Sequence, residues 1–244
     1  MSLSFPPEIF DLVIEHLREE RVTLKVCCVV SKSWVPRARR HLFARVQFTD
    51  DSRVESWAKA FPDPSNSPAH HTRDLSIRGL PGLTAATTFA HTWIRAFCQI
   101  TSLTLGTSGW NNKQVSLVPL HALSPSLKSL CLVYYSISSS EIFNLICSFP
   151  YLEDLSLMSI GDGKAGTSPL LPMSPKFTGY LRLVMDGGIR FDVWRLLALP
   201  GGLRFTDILV GCLEEDSESV TNLVSACCNT LESFAMLEYF PSAF

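Results

Sequence analysis

Charge is scarce in this sequence. Asp, Glu, Lys and Arg make up 18% of the residues, and 21 basic side chains stand against 23 acidic ones, for a formal net charge of −2. With 46% hydrophobic residues, the composition excludes a globally disordered chain. The near balance of sign excludes a general pull toward nucleic acid or an anionic membrane, because eight Lys/Arg against six Asp/Glu in the first fifty residues is too small an excess. No apolar run reads as a membrane span: the longer uncharged stretches are broken by Pro119, Pro125, Pro150 and serines. Pro6, Pro7, Glu8 and Asp11 stand where a signal peptide needs a basic start and an apolar run. There is no Asn-x-Ser/Thr acceptor, since Asn66-Ser67-Pro68 does not qualify. The expectation is a soluble intracellular chain, cytoplasmic or nuclear.

Catalytic and metal-binding signatures are lacking as well. Of eight cysteines, Cys27/Cys28 and Cys227/Cys228 are adjacent pairs, and Cys98, Cys131, Cys147 and Cys212 sit singly in apolar segments. Without a CxxC there is neither a zinc knuckle nor a thioredoxin-type motif, and these cysteines read as small buried hydrophobes in a reducing compartment. His16, His41, His70, His71, His91 and His121 are scattered with no HExxH, and no GxSxG elbow occurs. Gly161-Asp-Gly163-Lys164-Ala-Gly166 is a literal GxGxxG. A dinucleotide site needs a helix opening inside those glycines, whereas Pro169, Pro172 and Pro175 follow at once, so the run reads as a loop. The acidic run Glu214, Glu215, Asp216, Glu218 suits a helix start, with Asp216 or Ser217 as N-cap, better than a cation site. The expectation is therefore no catalytic residue, no metal and no cofactor.

What the sequence does have begins with helical spacing. Pro6 and Pro7 suit a first helical turn, Glu8 and Asp11 lie near its positive end, and Ile9, Val13, Ile14 and Leu17 recur on one face. A second helix is expected over about Thr23 to Val30 with Thr23 as N-cap. A third runs from about Ser33 to Phe43, with Pro36 in its first turn. Arg37, Arg39, Arg40, His41 and Arg45 read as a solvated helix face near a C-terminus rather than as phosphate ligands. Three short helices bury little surface alone, so this module depends on a partner or on the chain that follows. An apolar stripe by itself describes ordinary core as readily as a docking face.

The run Phe5-Pro6-Pro7-Glu8-Ile9, then Val13-Ile14 and Leu17, then Leu24 and Val30-Ser31-Lys32-Ser33-Trp34, resembles an F-box. That family's pattern is Leu-Pro-x-Glu-Ile, with apolar residues four, five and eight places after the Ile and a later Val-Ser-x-x-Trp. The likeness covers about residues 4–46 and departs from the pattern at Phe5, where Leu is usual. It implies a module that docks onto a Skp1-type adaptor protein of a cullin-based ubiquitin ligase. Matching positions make Phe5, Pro6, Ile9, Val13, Val30, Leu42 and Phe43 the adaptor-contact candidates, with Trp34 holding the helices together.

Beyond the module the chain repeats itself. The form apolar-x-x-apolar-x-apolar is clearest at Leu127…Leu130-Cys-Leu132 and Leu152…Leu155-Ser-Leu157. It recurs at Ile100…Leu103/Leu105, Leu231…Phe234/Met236, Leu75/Ile77, Leu181/Leu183 and Ile208/Val210. The central residues fall at 75, 103, 130, 155, 181, 208 and 234, and Val46-Gln-Phe48 reads as an earlier unit. Each unit supplies a brief strand with alternate side chains inward and a return segment outside. Helical returns are expected over Val54 to Phe61, Ala85 to Cys98, Glu141 to Phe149 and Glu218 to Cys228. Stacked units make a parallel sheet with outer helices, since none buries its apolar side alone.

These units are similar to leucine-rich repeats over about residues 72–237. They depart from that pattern where an Asn or Cys ladders the turn, for those slots hold Leu80, Ser108, Tyr135, Ile160, Asp186, Leu213 and Tyr239. The fold class expected is thus α/β: a three-helix F-box-like module (1–48), a connecting unit or linker (49–71) and an irregular leucine-rich-repeat solenoid (72–244). An F-box followed by degenerate repeats is a layout common in fungal families. The solenoid's other strand face offers Ser76, Thr104, Cys131, Ser156, Arg182, Leu209 and Ala235 as substrate-contact candidates, with Arg182 the obvious anchor. The chain stops eight residues after Met236 without a recognisable polar cap, which suggests truncation or a covering partner. Together the resemblances imply a non-catalytic substrate-recognition adaptor holding a protein of unknown identity. A repeat scaffold with no ligase role is the alternative.

Overall fold

The computed structural model describes residues 6–78, 93–106, 120, 123, 126–133, 139–158, 175, 177–184, 190–199, 201–212 and 216–238. It opens with three short helices, α1 (Pro7–His16), α2 (Arg21–Val30) and α3 (Val35–Leu42). Prolines stand in the first turns of α1 and α3, where a missing N–H costs no helical bond, and Glu8 complements the start of α1. Ile14, Leu24, Cys27, Ala38 and Leu42 form a small core, with Leu17, Cys28, Trp34 and Phe43 packed against it. Trp34 stacks on Phe10 with 5.3 Å between ring centroids, tying α1 to the start of α3.

α2 begins earlier than Thr23. The Leu24 N–H already donates to the Glu20 carbonyl at 3.0 Å, so Thr23 lies inside the helix and Glu20 takes the cap position. The sequence cue failed because α2 starts from Glu20 without any side-chain cap, which leaves the cap-forming Thr inside the first turn.

Among the described residues eight strands follow: β1 (Arg45–Phe48), β2 (Asp74–Arg78), β3 (Ser102–Gly106), β4 (Ser129–Val133), β5 (Asp154–Met158), β6 (Tyr180–Val184), β7 (Asp207–Cys212) and β8 (Ser233–Glu238). They form one sheet in chain order, and every neighbouring pair is parallel. Val46, Leu75, Leu103, Leu130, Leu155, Leu181, Ile208 and Phe234 lie side by side across it. Register therefore follows the sequence period, and Val46-Gln-Phe48 is the first unit. A slip of one residue would turn this apolar row outward.

The strand starts are stitched by a recurring bond. The Ala44 carbonyl accepts from Arg73 and Asp74 N–H, that of Arg73 from Thr101 and Ser102, and that of Thr101 from Lys128 and Ser129. The Lys128, Gly179 and Thr206 carbonyls do the same, at 2.7–3.4 Å. These bonds satisfy backbone groups that a turn between units leaves over.

Helices cover one face. They are α4 (Asp51–Ala60), α5 (Ser139–Cys147), α6 (Arg190–Leu197) and α7 (Ser217–Ala226), with helical residues also at 93–96. Ile142, Phe143, Leu145 and Ile146 of α5, Val193 and Leu196 of α6, and Val220 and Leu223 of α7 meet the inward strand residues in one continuous core. α6 was not expected from the sequence. At α7, Asp216 holds the N-cap position and Glu218 the first turn.

The segment at 49–71 is more than a linker. Asp50 caps α4 by accepting from the Arg53 N–H at 3.1 Å, and short turns follow at Pro64–Asn66 and Pro68–His71. Trp57 of α4 packs among Phe43, Phe48, Phe61 and Phe97, so this stretch is the return of the first unit. The Gly161–Gly166 run and the turn slots at 80, 108, 135, 160, 186, 213 and 239 lie outside the described residues.

Candidate docking surfaces

α1 places its apolar residues on two sides. Ile14 is 1% exposed and Leu17 packs against the small core, whereas Ile9, Leu12 and Val13 are 45%, 67% and 45% exposed. The outward three stand at i, i+3 and i+4, which makes one continuous stripe. α2 repeats the arrangement. Leu24 and Cys27 point inward, and Val22, Val26, Val29 and Val30, on one side at helical spacing, are 55–88% exposed. Large aliphatic side chains exposed in such rows mark an interaction face more often than isolated ones do.

The seven adaptor-contact candidates divide accordingly. Pro6, Ile9, Val13 and Val30 are exposed, and Phe5 lies outside the described residues. Leu42 is buried within the helical core, and Phe43 is half-buried between that core and the sheet. Leu42 is closed off and Phe43 leaves only part of its ring open, because α3 runs straight into β1 and its last turn is the joint between the two bodies. Leu12, Val22, Val26 and Val29 were not singled out by the sequence. Their signal was present as an i, i+4, i+7 spacing, but spacing does not say which side faces out.

The sheet face opposite the helices, which no described element covers, carries three rows. Ser76, Thr104, Cys131, Ser156, Arg182, Leu209 and Ala235 form the middle row in unbroken register, preceded by Gln47. The residues from Ser76 to Leu209 are half-buried, and Ala235 at the edge is exposed. Near the strand starts lies a polar row, with Asp74, Ser102, Ser129 and Asp154 adjacent in turn, Tyr180 joined to Asp154 by its N–H, and Asp207 beside Tyr180. Near the strand ends lies an apolar row of Val133, Met158 and Val184, flanked by Gly106 and Gly211. The Arg182 Nε and the Ser76 Oγ are shielded from water, with no hydrogen-bond partner among the described residues. A partner supplying an acceptor to that Nε would satisfy it.

Among the described cysteines, Cys27, Cys147 and Cys227 are buried as expected, while Cys98 and Cys228 are exposed and all are free thiols. Burial pushes the Cys147 and Cys227 thiols up, and burial with the neighbouring Cys27 does the same for Cys28. Among the described residues no cluster of His, Cys, Asp or Glu could hold a metal ion. No helix among them is long and apolar enough to cross a membrane.

Comparison with protein-family models, with curated proteins and with solved structures found no match.

Proposed function

We propose that the chain is a non-catalytic substrate-recognition adaptor of an SCF-type ubiquitin ligase. In this reading the opening helices are an F-box that docks onto a Skp1-type protein. The repeats are of the leucine-rich class, and their open sheet face holds a protein substrate. The observation that carries it is the outward apolar stripe on α1 and on α2, on a helical body whose core is already filled by other residues. Aliphatic rows have no reason to stay exposed on two consecutive helices unless something covers them. The contribution to ubiquitin transfer is positional: one end tethers, the other raises the substrate's effective concentration near the ligase.

Co-purification with a Skp1-type protein tests this. Capture is expected for the unaltered chain and is expected to be lost on Ile9→Asp or Val30→Asp, both exposed enough to leave the fold intact. Retention by both variants would sink the docking assignment.

One observation favours the scaffold reading instead. Phe43 is shared between the helical core and the sheet core, as it would be if the three helices served only to cap the first strand. In that case the Skp1-type protein fails to bind, while removal of residues 1–44 exposes β1 and promotes self-association.

A further inference from the structure

The last turn of α3 carries Arg39, Arg40 and His41. Alone, such a run is a solvated helix face beside the negative end of a helix dipole. The fold brings more cations to it from further along the chain. The short turn ending in His70 and His71 contacts α3. Arg73 follows directly, donating to the Gln99 carbonyl at 3.0 Å. Arg40, His41, His70, His71 and Arg73 border a cleft of about 750 Å³ where the helical module meets the first strands, walled by five arginines and three histidines against two glutamates.

Both glutamates are already engaged. Glu15 lies 3.2 Å from the His41 Nε2 and 3.7 Å from Arg18, and Glu19 lies 3.1 Å from Arg45 and 3.8 Å from Arg18. The Arg40 and His71 side chains form no hydrogen bond or ion pair among the described residues. The His70 ring sits 4.0 Å from that of His71, with its Nδ1 2.7 Å from the Ser67 carbonyl. Burial first, then His70, Arg39, Arg40 and Arg73, hold the His71 imidazole below its ordinary value. Every charged neighbour acting on it is positive, and a local excess of like charge over counter-charge destabilises a fold.

The geometry points to this cleft as a binding site for a phosphate-bearing ligand of two or more negative charges, gripped by Arg40 and Arg73 with His70 and His71 alongside. Guanidinium forks match phosphate oxygens two at a time, and the His71 imidazole N–H donates to an oxygen that remains. The site uses none of the exposed apolar residues of α1 and α2 and none of the sheet-face rows, so it stands whichever functional reading holds.

Calorimetric titration of the full chain with inorganic tripolyphosphate at low ionic strength tests it. A parallel titration uses a peptide bearing two adjacent phosphoserines. Saturable one-to-one binding of at least one probe is expected, weakening as salt is raised. Arg40→Gln is expected to weaken it, and Arg40→Gln/Arg73→Gln to weaken it at least tenfold. Arg204→Gln, an exposed arginine on the seventh unit, is expected to leave it unchanged. Circular dichroism confirms that the variants are folded. Imidazole titration by NMR is expected to show the His71 value rising when the probe saturates the site. Tighter binding of the peptide assigns the phosphate to a protein segment, and tighter binding of tripolyphosphate assigns it to a free anion. Failure of both probes to saturate overturns the proposal, as does affinity that the double variant leaves within twofold.

Discussion

The Phe43 ring meets the Trp57 indole edge-on, with 5.7 Å between their centroids. Phe43 closes α3 and Trp57 belongs to α4, so the contact joins the helical module to the first repeat. Phe61 lies edge-on to the same ring at 6.0 Å, and the Arg39 guanidinium sits 5.9 Å above it. Neither the module nor the sheet is closed at this end without Phe43.

Replacing Phe43 by Ala is therefore expected to destabilise both bodies together. The ring is half-buried, so the loss should fall below that of a fully buried Phe, at about 2 kcal/mol. Urea unfolding followed by circular dichroism measures it. A single transition shifted as a whole supports the joint. A shift confined to a small helical transition, with the sheet's midpoint unmoved, would show that the two unfold independently.

The core row makes a second, graded prediction. Leu130 is fully buried between two other strands, whereas Phe234 on β8, in the same register, is 43% exposed. Leu130→Ala should cost about 3 kcal/mol and Phe234→Ala about 1 kcal/mol or less. In a stack whose units touch only their neighbours, the Leu130 change should also split the unfolding transition into parts on either side of β4. Equal losses at the two positions would contradict the assignment of β8 to the sheet's edge.

The sheet was legible in the sequence because a strand's period of two leaves no freedom once one face is buried. The recurrence of apolar pairs near every 26 residues located the strands, and Val46 and Phe48 fell into line with the rest. Helix α6 was not legible. Val193 and Leu196 are its buried residues, but Trp194 beside them is 67% exposed and Arg195 is buried, with its guanidinium 5.6 Å from the Phe143 ring. An exposed indole and an inward cation reverse the pattern that marks an amphipathic helix. The candidate docking surface was half legible. The F-box resemblance nominated Ile9 and Val13, whereas helical spacing grouped them on one face with Ile14 and Leu17; α1 and α2 carry apolar residues on both sides, and only the packing of Ile14, Leu24 and Cys27 decides which side is left outside. Arg73 and His71 could not be joined to the cations of α3 at all, because the turn that carries them back is a matter of tertiary contact.

Asp50 yields a prediction about pH. Hydrogen bonds from Ser52, from Thr49 at 2.9 Å and from the Arg53 N–H at 3.1 Å hold its carboxyl below the ordinary carboxylate value. A depressed carboxyl stabilises the fold above the unfolded-state value, about 3.9, and that contribution is lost as pH falls through the folded-state value. Asp50→Ala should thus lower the thermal midpoint at neutral pH, and by less in acid, where a protonated Asp50 retains only a neutral oxygen to cap α4. Asp50→Asn keeps an oxygen to cap α4 and should lie between the two at neutral pH. A deficit of equal size at both pH values would mean that the charge contributes nothing.

Gly179 and Asp154 supply the sharpest test of how adjacent units are stitched. The Asp154 Oδ1 accepts a hydrogen bond from the Tyr180 N–H at 2.8 Å, where β6 sets out beside β5. A Cβ on residue 179 would overlap that same oxygen and touch the Glu153 carbonyl at 3.4 Å. Gly179→Ala must then push the carboxylate off the Tyr180 N–H. Asp154→Ala removes the same bond by deleting the acceptor, and loss of a hydrogen bond to a charged group costs about 1–3 kcal/mol. Since both changes abolish one interaction, they should not add: in Asp154→Ala the space at 179 is open, and the further Gly179→Ala change should cost little or even stabilise by restricting the unfolded chain. A double-mutant cycle on urea unfolding reads this directly. Full additivity would show that Gly179 is small for some reason other than the Asp154 carboxylate.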